Sequence, residues 1–369
     1  MSILHSANLL RNPEDRRSFI EKCAKVSFGL SVLPFFTRIA EAAEAPGAVK
    51  APNAGLPGFG KAKRVIFIQL AGGMSHIDTF DPKEGGSKGP GATISTKAGF
   101  QLTDYLPETA KVAGRLAVIR NMTAKVGVHA SACYLMRTGF EQRGTVQHPM
   151  LGAWAQHFLG ASSKTLPSTV CVGRPSNHGN GWFPAAYSPL PILSPNDGLQ
   201  NIKGLADADT QSRRLDLLAQ LNGGFAGAPT DENVKAYNEF YESTFQLMKS
   251  KDLAAFDLTA ESAATKARFG TSKFGQGCLL ARRLVEHGVR FVEVSHGGWD
   301  MHATLDTRMK DVGAEFDRGY AALIQDLEAK GLLDSTLVVV ATEFGRKPDF
   351  SGGGRGHHPL VFSTVLAGG

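Results

Sequence analysis

Short apolar runs that end in clusters of glycine, histidine and acidic residues are the feature that most constrains the fold of this chain. The clearest run, residues 290–294, is followed by the cluster 296–302, which contains Asp300 and His302. A short β-branched run of this kind predicts a buried strand, so the cluster falls at the carboxyl end of that strand. In open α/β sheets, ligands bind at this edge. Asp300 and His302 can share one ion there, or they can form a turn that caps a helix.

Apolar runs of the same type recur along the chain and set the fold class. The predicted strands are residues 64–70, 116–119, 169–172, 290–294, 336–341 and 360–366. Helical patterns lie between them, the clearest from about 305 to 330, where apolar residues step by three or four and form one stripe. Strand, polar loop, helix and strand in succession is typical of βαβ units. The sequence therefore predicts an α/β protein with three layers, α/β/α, around a mostly parallel central sheet.

The chain is organised as one large folded region behind a leader and a linker. Its 369 residues suffice for one large α/β domain or two smaller ones. We expect a single α/β domain over residues 64–369, with a helical insertion at about 207–258 and a linker rich in Ala, Pro and Gly over 46–63. Because the chain stops directly after a predicted strand, we also expect this domain to be incomplete at its carboxyl terminus.

The first 45 residues are typical of an export signal. Arg16 and Arg17 form a twin-arginine pattern, residues 24–36 are mildly apolar, and small residues at 40–45 offer cleavage sites. The apolar stretch is too short to span a bilayer as a stable helix. We therefore predict export through the twin-arginine translocation machinery to the periplasm or the extracellular space. The alternative is a basic amphipathic helix on a cytosolic protein.

Charge and cysteine content argue against two classes of function. The net charge is +6, but Lys and Arg are scattered among acidic residues and form none of the basic runs that nucleic-acid patches show. Cys133, Cys171 and Cys278 are far apart and form no C-x-x-C pair. We therefore predict no nucleic-acid partner and no zinc–thiolate site, and we expect these cysteines to act as small buried hydrophobic residues.

Four polar clusters follow predicted strands, and the carboxyl ends of parallel strands meet at one edge of a sheet. Imidazoles mixed with carboxylates suit zinc, manganese or iron, and calcium is left open. One such cluster is usually structural, but four clusters at four strand ends predict a shared metal or oxyanion site. The predicted ligands of a divalent metal are His76, Asp78, Asp300, His302, Glu343, His357 and His358.

Two residues in these clusters are predicted to act on the substrate. Ser75 follows a pair of glycines that allow close backbone approach, which makes it a candidate nucleophile. Arg346 can hold a phosphate or sulfate group with its guanidinium fork, or it can pair with a surface acid, as can Arg355. No G-x-S-x-G nucleophile elbow of a serine hydrolase is expected, because the match at residues 85–89 does not directly follow a predicted strand, and the chain has no G-x-G-x-x-G dinucleotide motif.

These motifs resemble the bacterial DUF1501 family, which groups with the alkaline phosphatase and sulfatase superfamily. The resemblance lies in residues 72–82, 129–139, 297–302 and 331–348 together with 355–359, and a twin-arginine leader is also usual in that family. It covers essentially all of the chain from Arg64 onward. The resemblance implies a three-layer α/β fold with a metal-centred site, and members of the family usually run on past the point where this chain ends.

Three hallmark positions of the sulfatases carry different residues here. Gly72 and Gly73 stand where sulfatases have paired aspartates, and His129 stands at the position similar to their modified cysteine nucleophile. Glu343 and Phe344 replace an Asp-His ligand pair, and of these two only the glutamate can bind a metal. A formylglycine mechanism is therefore not expected. We expect His129 to act as nucleophile, acid/base or further metal ligand.

The leading hypothesis is an exported metal-dependent hydrolase or transferase that acts on phosphate or sulfate esters of small molecules or glycans. In it, the bound metal polarises the ester oxygen and activates a water or Ser75, and Arg346 orients the anion. The alternative is a non-catalytic exported binding or structural protein that keeps the fold and a structural metal. A phosphomutase-like isomerase is a third candidate without a sequence feature of its own.

Overall fold

Strands and helices alternate along the chain. In the computed structural model, the described residues are 60–173, 179–199 and 243–369, with positions 210, 213, 214, 216, 217 and 220. Within them the strands are β1 (Arg64–Leu70), β2 (Thr93–Ser95), β3 (Gln101–Thr103), β4 (Leu116–Met122), β5 (Thr169–Val172), β6 (Leu190–Ile192), β7 (Phe291–His296), β8 (Thr336–Thr342), β9 (Gly345–Arg346), β10 (His357–His358) and β11 (Phe362–Ala367). The helices are α1 (Pro107–Lys111), α2 (His129–Thr138), α3 (Leu151–Leu159), α4 (Ala263–Phe269), α5 (Lys273–Glu286), α6 (Leu305–Arg308) and α7 (Ala314–Ala329).

Seven of these strands form the central sheet, in the order β4, β11, β8, β1, β7, β5, β6. β1 lies in the middle and pairs in parallel with β7 and β8, while β5 pairs in parallel with β7 and β6. Within this sheet β11 runs the other way, antiparallel to β8 and β4. The predicted α/β fold with a mostly parallel sheet is therefore confirmed.

Apolar side chains on both faces of the sheet place helices on both sides of it. Ile66 and Leu70 of β1 belong to one core cluster, which also contains residues of α5 and α7. Phe67 of the same strand belongs to a second cluster, which includes Ala153 of α3. Since successive side chains of a strand point to opposite faces, the two clusters lie on opposite sides of the sheet. These are the three layers that the sequence predicts.

The predicted strands agree with the structure to within a few residues, but the predicted long helix is interrupted. The helix expected over about 305–330 consists of α6, a π-helical turn (Met309–Gly313) and α7. Gly331 follows it with a positive φ of 66°, a backbone conformation that favours glycine. The sequence did not reveal the short edge strand β6 or the two-residue strands β9 and β10, which pair with each other.

Several predictions concern residues outside the described part of the chain. The export signal over 1–45 lies there, as do most of the linker over 46–63 and most of the helical insertion at about 207–258. The internal contacts of residues 61–369 make them one compact unit. A search of the described residues finds no helix that is both long enough and apolar enough to cross a membrane.

Candidate metal centre

Three side chains from distant parts of the chain meet at the carboxyl edge of the sheet. His129, Asp300 and His357 each offer one ligand atom, and these atoms all lie within 4.8 Å of one another. Nε2 of His129 is 3.4 Å from Oδ2 of Asp300, and Nε2 of His357 is 3.3 Å from Oδ1 of the same carboxylate. Asp300 is therefore the centre of the group, with one imidazole facing each of its oxygens.

The topology explains how three loops reach one point. His129 begins α2 after the strand β4, and Asp300 follows β7. His357 precedes a strand instead of following one, but β11 is antiparallel, so its amino end lies at the same edge of the sheet. The ribbon of β9 and β10 pairs His357 with Arg346. This pairing ties the loop before β11 to the loop after β8.

Both histidines donate from Nδ1 and present Nε2 to Asp300. The acceptor facing Nδ1 of His129 is Oε1 of Glu343 at 2.8 Å, and the acceptor facing Nδ1 of His357 is the carbonyl oxygen of Gly127 at 2.9 Å. Because a carboxylate and a carbonyl oxygen accept hydrogen bonds, these contacts assign each ring proton to Nδ1. In the neutral ring Nε2 then carries a lone pair, which is the form in which histidine binds metals, whereas in the protonated ring Nε2 donates to Asp300.

This donor set fits a divalent cation. Nε2 of His129 is buried and has no hydrogen-bond partner, although it faces a carboxylate. When both rings are neutral, two lone pairs lie beside a carboxylate, an arrangement that a bound cation would stabilise. Two imidazoles with one carboxylate suit zinc, manganese and iron, whereas calcium prefers oxygen ligands.

His302 adds a fourth donor on the solvent side of the group. Its Nε2 lies 2.9 Å from Oδ1 of Asp300 and 3.0 Å from Nε2 of His357. Its side chain is 53% exposed, and that of Asp300 is 46% exposed. The group is therefore open to solvent on the side where His302 lies.

Glu343 lies behind His129 and is almost fully buried. Its carboxylate accepts hydrogen bonds from the backbone N–H of Gly72 at 2.7 Å and from the side chains of Gln69 and Thr342 at 3.4 and 3.3 Å. With His129 as a further donor, both oxygens are bound by protein groups. Glu343 thus orients His129 in this structure, in the carboxylate–histidine arrangement that commonly supports a metal ligand.

Arg346 holds the other side of Asp300. Its Nη2 donates to Oδ1 of Asp300 at 2.5 Å, and the guanidinium is buried. Partial burial by itself raises the pKa of Asp300, but the hydrogen bond and charge of Arg346, aided by His357 and His129, lower that pKa to about 2. The carboxylate is therefore ionised at neutral pH.

The apolar ring of Phe344 packs against both histidines of the group. Its ring centroid lies 4.9 Å from that of His129 and 4.5 Å from that of His357, and the side chain is fully buried. Gly73 makes room for this ring: with φ at 67°, a β-carbon there would come within 2.5 Å of the Phe344 ring. Phe344, which cannot bind a metal, therefore packs against the two imidazoles that can.

Ser75 and Asp78 lie in a separate, closed network. Asp78 accepts from Nε and Nη2 of Arg355 at 2.7 and 3.3 Å, and the Ser75 hydroxyl donates to the same carboxylate in a short hydrogen bond. All three side chains are buried. Among the described residues, neither Ser75 nor Asp78 belongs to the group around Asp300, so their predicted roles stay predictions.

His76 and His358 also lie outside the group that shares ligand atoms among the described residues. Burial lowers the pKa of His76 to about 4, and its Nδ1 is buried without a hydrogen-bond partner. His358 is half-buried and pairs with Gly345 in the β9–β10 ribbon. Their predicted ligand roles stay predictions as well.

Three supporting features escaped the sequence analysis: the carbonyl of Gly127, the ring of Phe344 and the amide of Gln69. Gln69 did leave a signal, because it is a polar residue near the end of the otherwise apolar strand β1. Its burial would have pointed to a polar partner. A cavity of about 630 Å³ lies elsewhere, lined among others by Tyr105, Glu108 and Asp317, and contains none of the predicted site residues.

Solved structures similar to this one have low sequence identity and TM-scores below 0.5. The C-terminal periplasmic domain of EcEptC from Escherichia coli, in complex with zinc, has 9% identity and a TM-score of 0.38, covering 83% of this chain and 73% of that chain. The lipoteichoic acid synthase LtaP from Listeria monocytogenes has 9% identity and a TM-score of 0.39, with coverage of 89% and 69%. Alkaline phosphatase from the Antarctic bacterium TAB5 has 12% identity and a TM-score of 0.35, with coverage of 83% and 91%. No function is transferred from similarities at this level.

The sequence itself gives a firmer assignment. No curated protein matches the chain significantly. The family described as a protein of unknown function, DUF1501, matches residues 62–369. These residues include every side chain of the group around Asp300, and the resemblance noted from the motifs is confirmed. The chain belongs to the DUF1501 family.

Proposed function

We propose that this chain is an exported metal-dependent hydrolase or transferase that acts on phosphate or sulfate esters. The observation that carries the proposal is the meeting of His129, Asp300 and His357 within 4.8 Å, with the Nε2 atoms of both histidines turned inward. Outer hydrogen bonds that fix both tautomers are typical of metal ligands. One ion fits this group, with His302 as the fourth donor.

A metal bound there would supply a Lewis acid for the ester oxygen and lower the pKa of a water. The side chains of the protein then have distinct tasks. His129, Asp300, His302 and His357 hold the ion, and Glu343 keeps the proton of His129 on Nδ1. The nucleophile predicted at Ser75 and the ligand roles predicted for His76, Asp78 and His358 are not needed in this proposal.

Exposure and charge support an anionic substrate from solution. Asp300 and His302 are the exposed members of the group, so a substrate reaches the ion without displacing protein. The net charge of +6 favours encounter with anions. Phosphate and sulfate esters, on a small molecule or on a glycan, are the class whose charged oxygens a divalent ion binds best.

The test is to measure metal content and ester hydrolysis together. Purified wild-type protein should carry about one zinc, manganese or iron per chain and hydrolyse members of a phosphate and sulfate ester panel. His129→Ala should lose both properties, whereas His157→Ala, at an exposed histidine of α3, should keep both. A folded wild-type protein that binds metal but acts on no ester would contradict the enzymatic part alone.

Export through the twin-arginine pathway is a further part of the proposal. It is supported by Arg16, Arg17 and the short apolar stretch that follows them. Replacing both arginines with lysine should retain the protein in the cytoplasm, as measured by cell fractionation. Unchanged export of this variant would show that another route is used.

The alternative is a non-catalytic exported protein that keeps a structural metal and binds a partner. Phe344 favours it, because an apolar ring fills the position next to Glu343 where a second ligand would stand. The exposed face of Asp300 and His302 opposes it, since structural metal sites are closed. His302→Ala separates the two: an enzyme loses turnover, whereas a binding protein keeps its partner.

A further inference from the structure

The side chain of Arg346 is shared among three segments, two of which lead to Asp300 and His357 of the metal group. Its Nε donates to the carbonyl of Gly73 at 2.7 Å, and Nη1 donates to the carbonyl of Arg355 at 3.0 Å. Nη2 donates to the carbonyl of Gly72 in a short bond and to Oδ1 of Asp300 at 2.5 Å. Every nitrogen of the guanidinium therefore donates to a protein acceptor.

The segments that it joins are far apart in the sequence. Gly72 and Gly73 follow β1, Asp300 follows β7, and Arg355 lies between β9 and β10. Nη2 also lies 3.4 Å from the carbonyl oxygen of Trp299, next to Asp300. One planar group thus fixes the distances between the loop that carries Asp300 and the loop that leads to His357.

Four of the five N–H groups of this guanidinium are thus bound by the protein, and the fifth, on Nη1, faces Nε2 of His302 at 3.5 Å, which leaves little capacity for a substrate. The Arg346 side chain is about 1% exposed, and to turn it toward an anion would leave buried carbonyls without donors. An unsatisfied buried polar group costs about 1–3 kcal/mol. From the sequence, Arg346 is expected to orient the anion; its hydrogen bonds favour a different role.

We propose that Arg346 is a positioning residue, which assembles the metal ligands and does not contact the substrate. The inference rests on the proposed function, because it assigns Arg346 a role within that same site. Its physical basis is geometric: five N–H donors in a rigid plane reach three loops at once, and no other side chain has this shape. The substrate anion is then held by the ion itself.

Arg355 provides a matched control. It is as buried as Arg346 and also donates to a carboxylate and to backbone carbonyls, here Asp78, Ser87, Lys347 and Pro348. None of these acceptors is a member of the metal group. Replacing either arginine with lysine removes the planar fork and keeps the charge. Both variants should unfold at lower denaturant concentration than the wild type.

Metal affinity distinguishes the two variants. Arg346→Lys should weaken zinc binding roughly 10–100-fold, the usual loss when a group that supports a ligand is removed, whereas Arg355→Lys should keep wild-type affinity. Isothermal titration of each metal-free protein with zinc measures this. In Arg346→Gly, added guanidinium ion should restore part of the affinity, which a general loss of stability would not allow. Equal zinc affinity in wild type and Arg346→Lys would overturn the proposal.

A role in substrate binding would give a different pattern. In that case Arg346→Lys would bind zinc normally, and inorganic phosphate would bind to its zinc form more weakly than to the wild-type zinc form. Hydrogen exchange of the metal-free proteins gives an independent readout. Backbone amides at 72–74 and 299–302 should exchange faster in Arg346→Lys than in Arg355→Lys. If the wild type binds no zinc, the proposed function fails, and hydrogen exchange alone still decides whether Arg346 joins the loops.

Discussion

Two polar groups, each centred on one aspartate, lie at the same sheet and differ in which atoms face that carboxylate. Around Asp300, two histidines turn their Nε2 atoms toward a carboxylate that is 46% exposed. Around Asp78, an arginine and a serine hydroxyl turn protons toward a carboxylate that is 1% exposed. The first group leaves Nε2 of His129 without a hydrogen-bond partner, whereas in the second the carboxylate, the hydroxyl and the guanidinium bind one another.

This difference separates a binding site from a scaffold. Both groups contain residue types that are common in catalytic and metal sites, and both follow strands. Residue type and position along the chain therefore do not distinguish them. The two groups are distinguished by whether their polar atoms already have hydrogen-bond partners, because a network in which every donor and acceptor is paired cannot bind a ligand. We therefore expect the Asp78 group to stabilise the fold and the Asp300 group to bind the metal.

The largest effect is expected from Asp78→Ala. This change leaves the buried guanidinium of Arg355 without its counter-ion. Breaking a buried ion pair by removing one partner costs about 3–5 kcal/mol of folding stability. Urea unfolding should show this loss, while the zinc affinity of the folded variant stays at the wild-type value. A large loss of zinc affinity without a loss of stability would place Asp78 in the site.

Acid should destabilise the protein through His76. Its pKa is lowered by burial to about 4, so between pH 6.5 and 4 the unfolded chain binds a proton that the folded protein does not. Stability is therefore complete above about pH 6.5 and falls as the pH drops toward 4, by about 3 kcal/mol in total. His76→Gln should flatten this part of the stability curve. The control His157→Gln, at an exposed histidine, should leave it unchanged.

Asp300→Asn tests whether the Asp300 group binds a metal. The amide keeps the size of the side chain but removes the charge that both imidazoles face. Metal affinity should fall more than about 100-fold, beyond the loss expected for an outer supporting group. The amide oxygen can still accept from Arg346, but the charge that pairs with this buried guanidinium is lost, so urea stability in the absence of metal should also fall. Elemental analysis and unfolding curves of the same sample would check both statements.

A smaller effect is expected from Glu343→Gln. The amide can still accept from the N–H of Gly72, but it no longer provides a charged acceptor for Nδ1 of His129. Loss of such a partner typically weakens metal binding about 10–100-fold. Ser131→Ala, on the same helix α2, serves as control and should keep the affinity. Unchanged affinity in Glu343→Gln would make its bond to His129 irrelevant to the metal.

The sequence predicted the fold well because its signals are local. Continuous apolar runs marked β1, β5 and β8 close to their true bounds, since strands buried on both faces need apolar residues throughout. β6 escaped because it has three residues, one of them Pro191 at the edge of the sheet. The direction of β11 could not be read from composition, because parallel and antiparallel strands carry similar residues.

The site was only partly predictable, for a different physical reason. Asp300, His302 and His357 were expected to converge, and they do. Residues 75–78 were expected with them, but the path of a loop after its strand depends on backbone turns that composition does not fix. Gly72 and Gly73 have φ values of 120° and 67°, and the chain after them enters the closed network of Arg355.

The most direct test of the central claim is a titration of metal-free wild-type protein with cobalt(II), followed by its absorption spectrum. The account predicts one ion per chain, a spectrum that reports nitrogen ligands, and loss of that spectrum in both His129→Ala and His357→Ala. Zinc should displace the cobalt at a ratio of one to one. A folded wild-type protein that takes up no ion, or a spectrum that survives both substitutions, would contradict it.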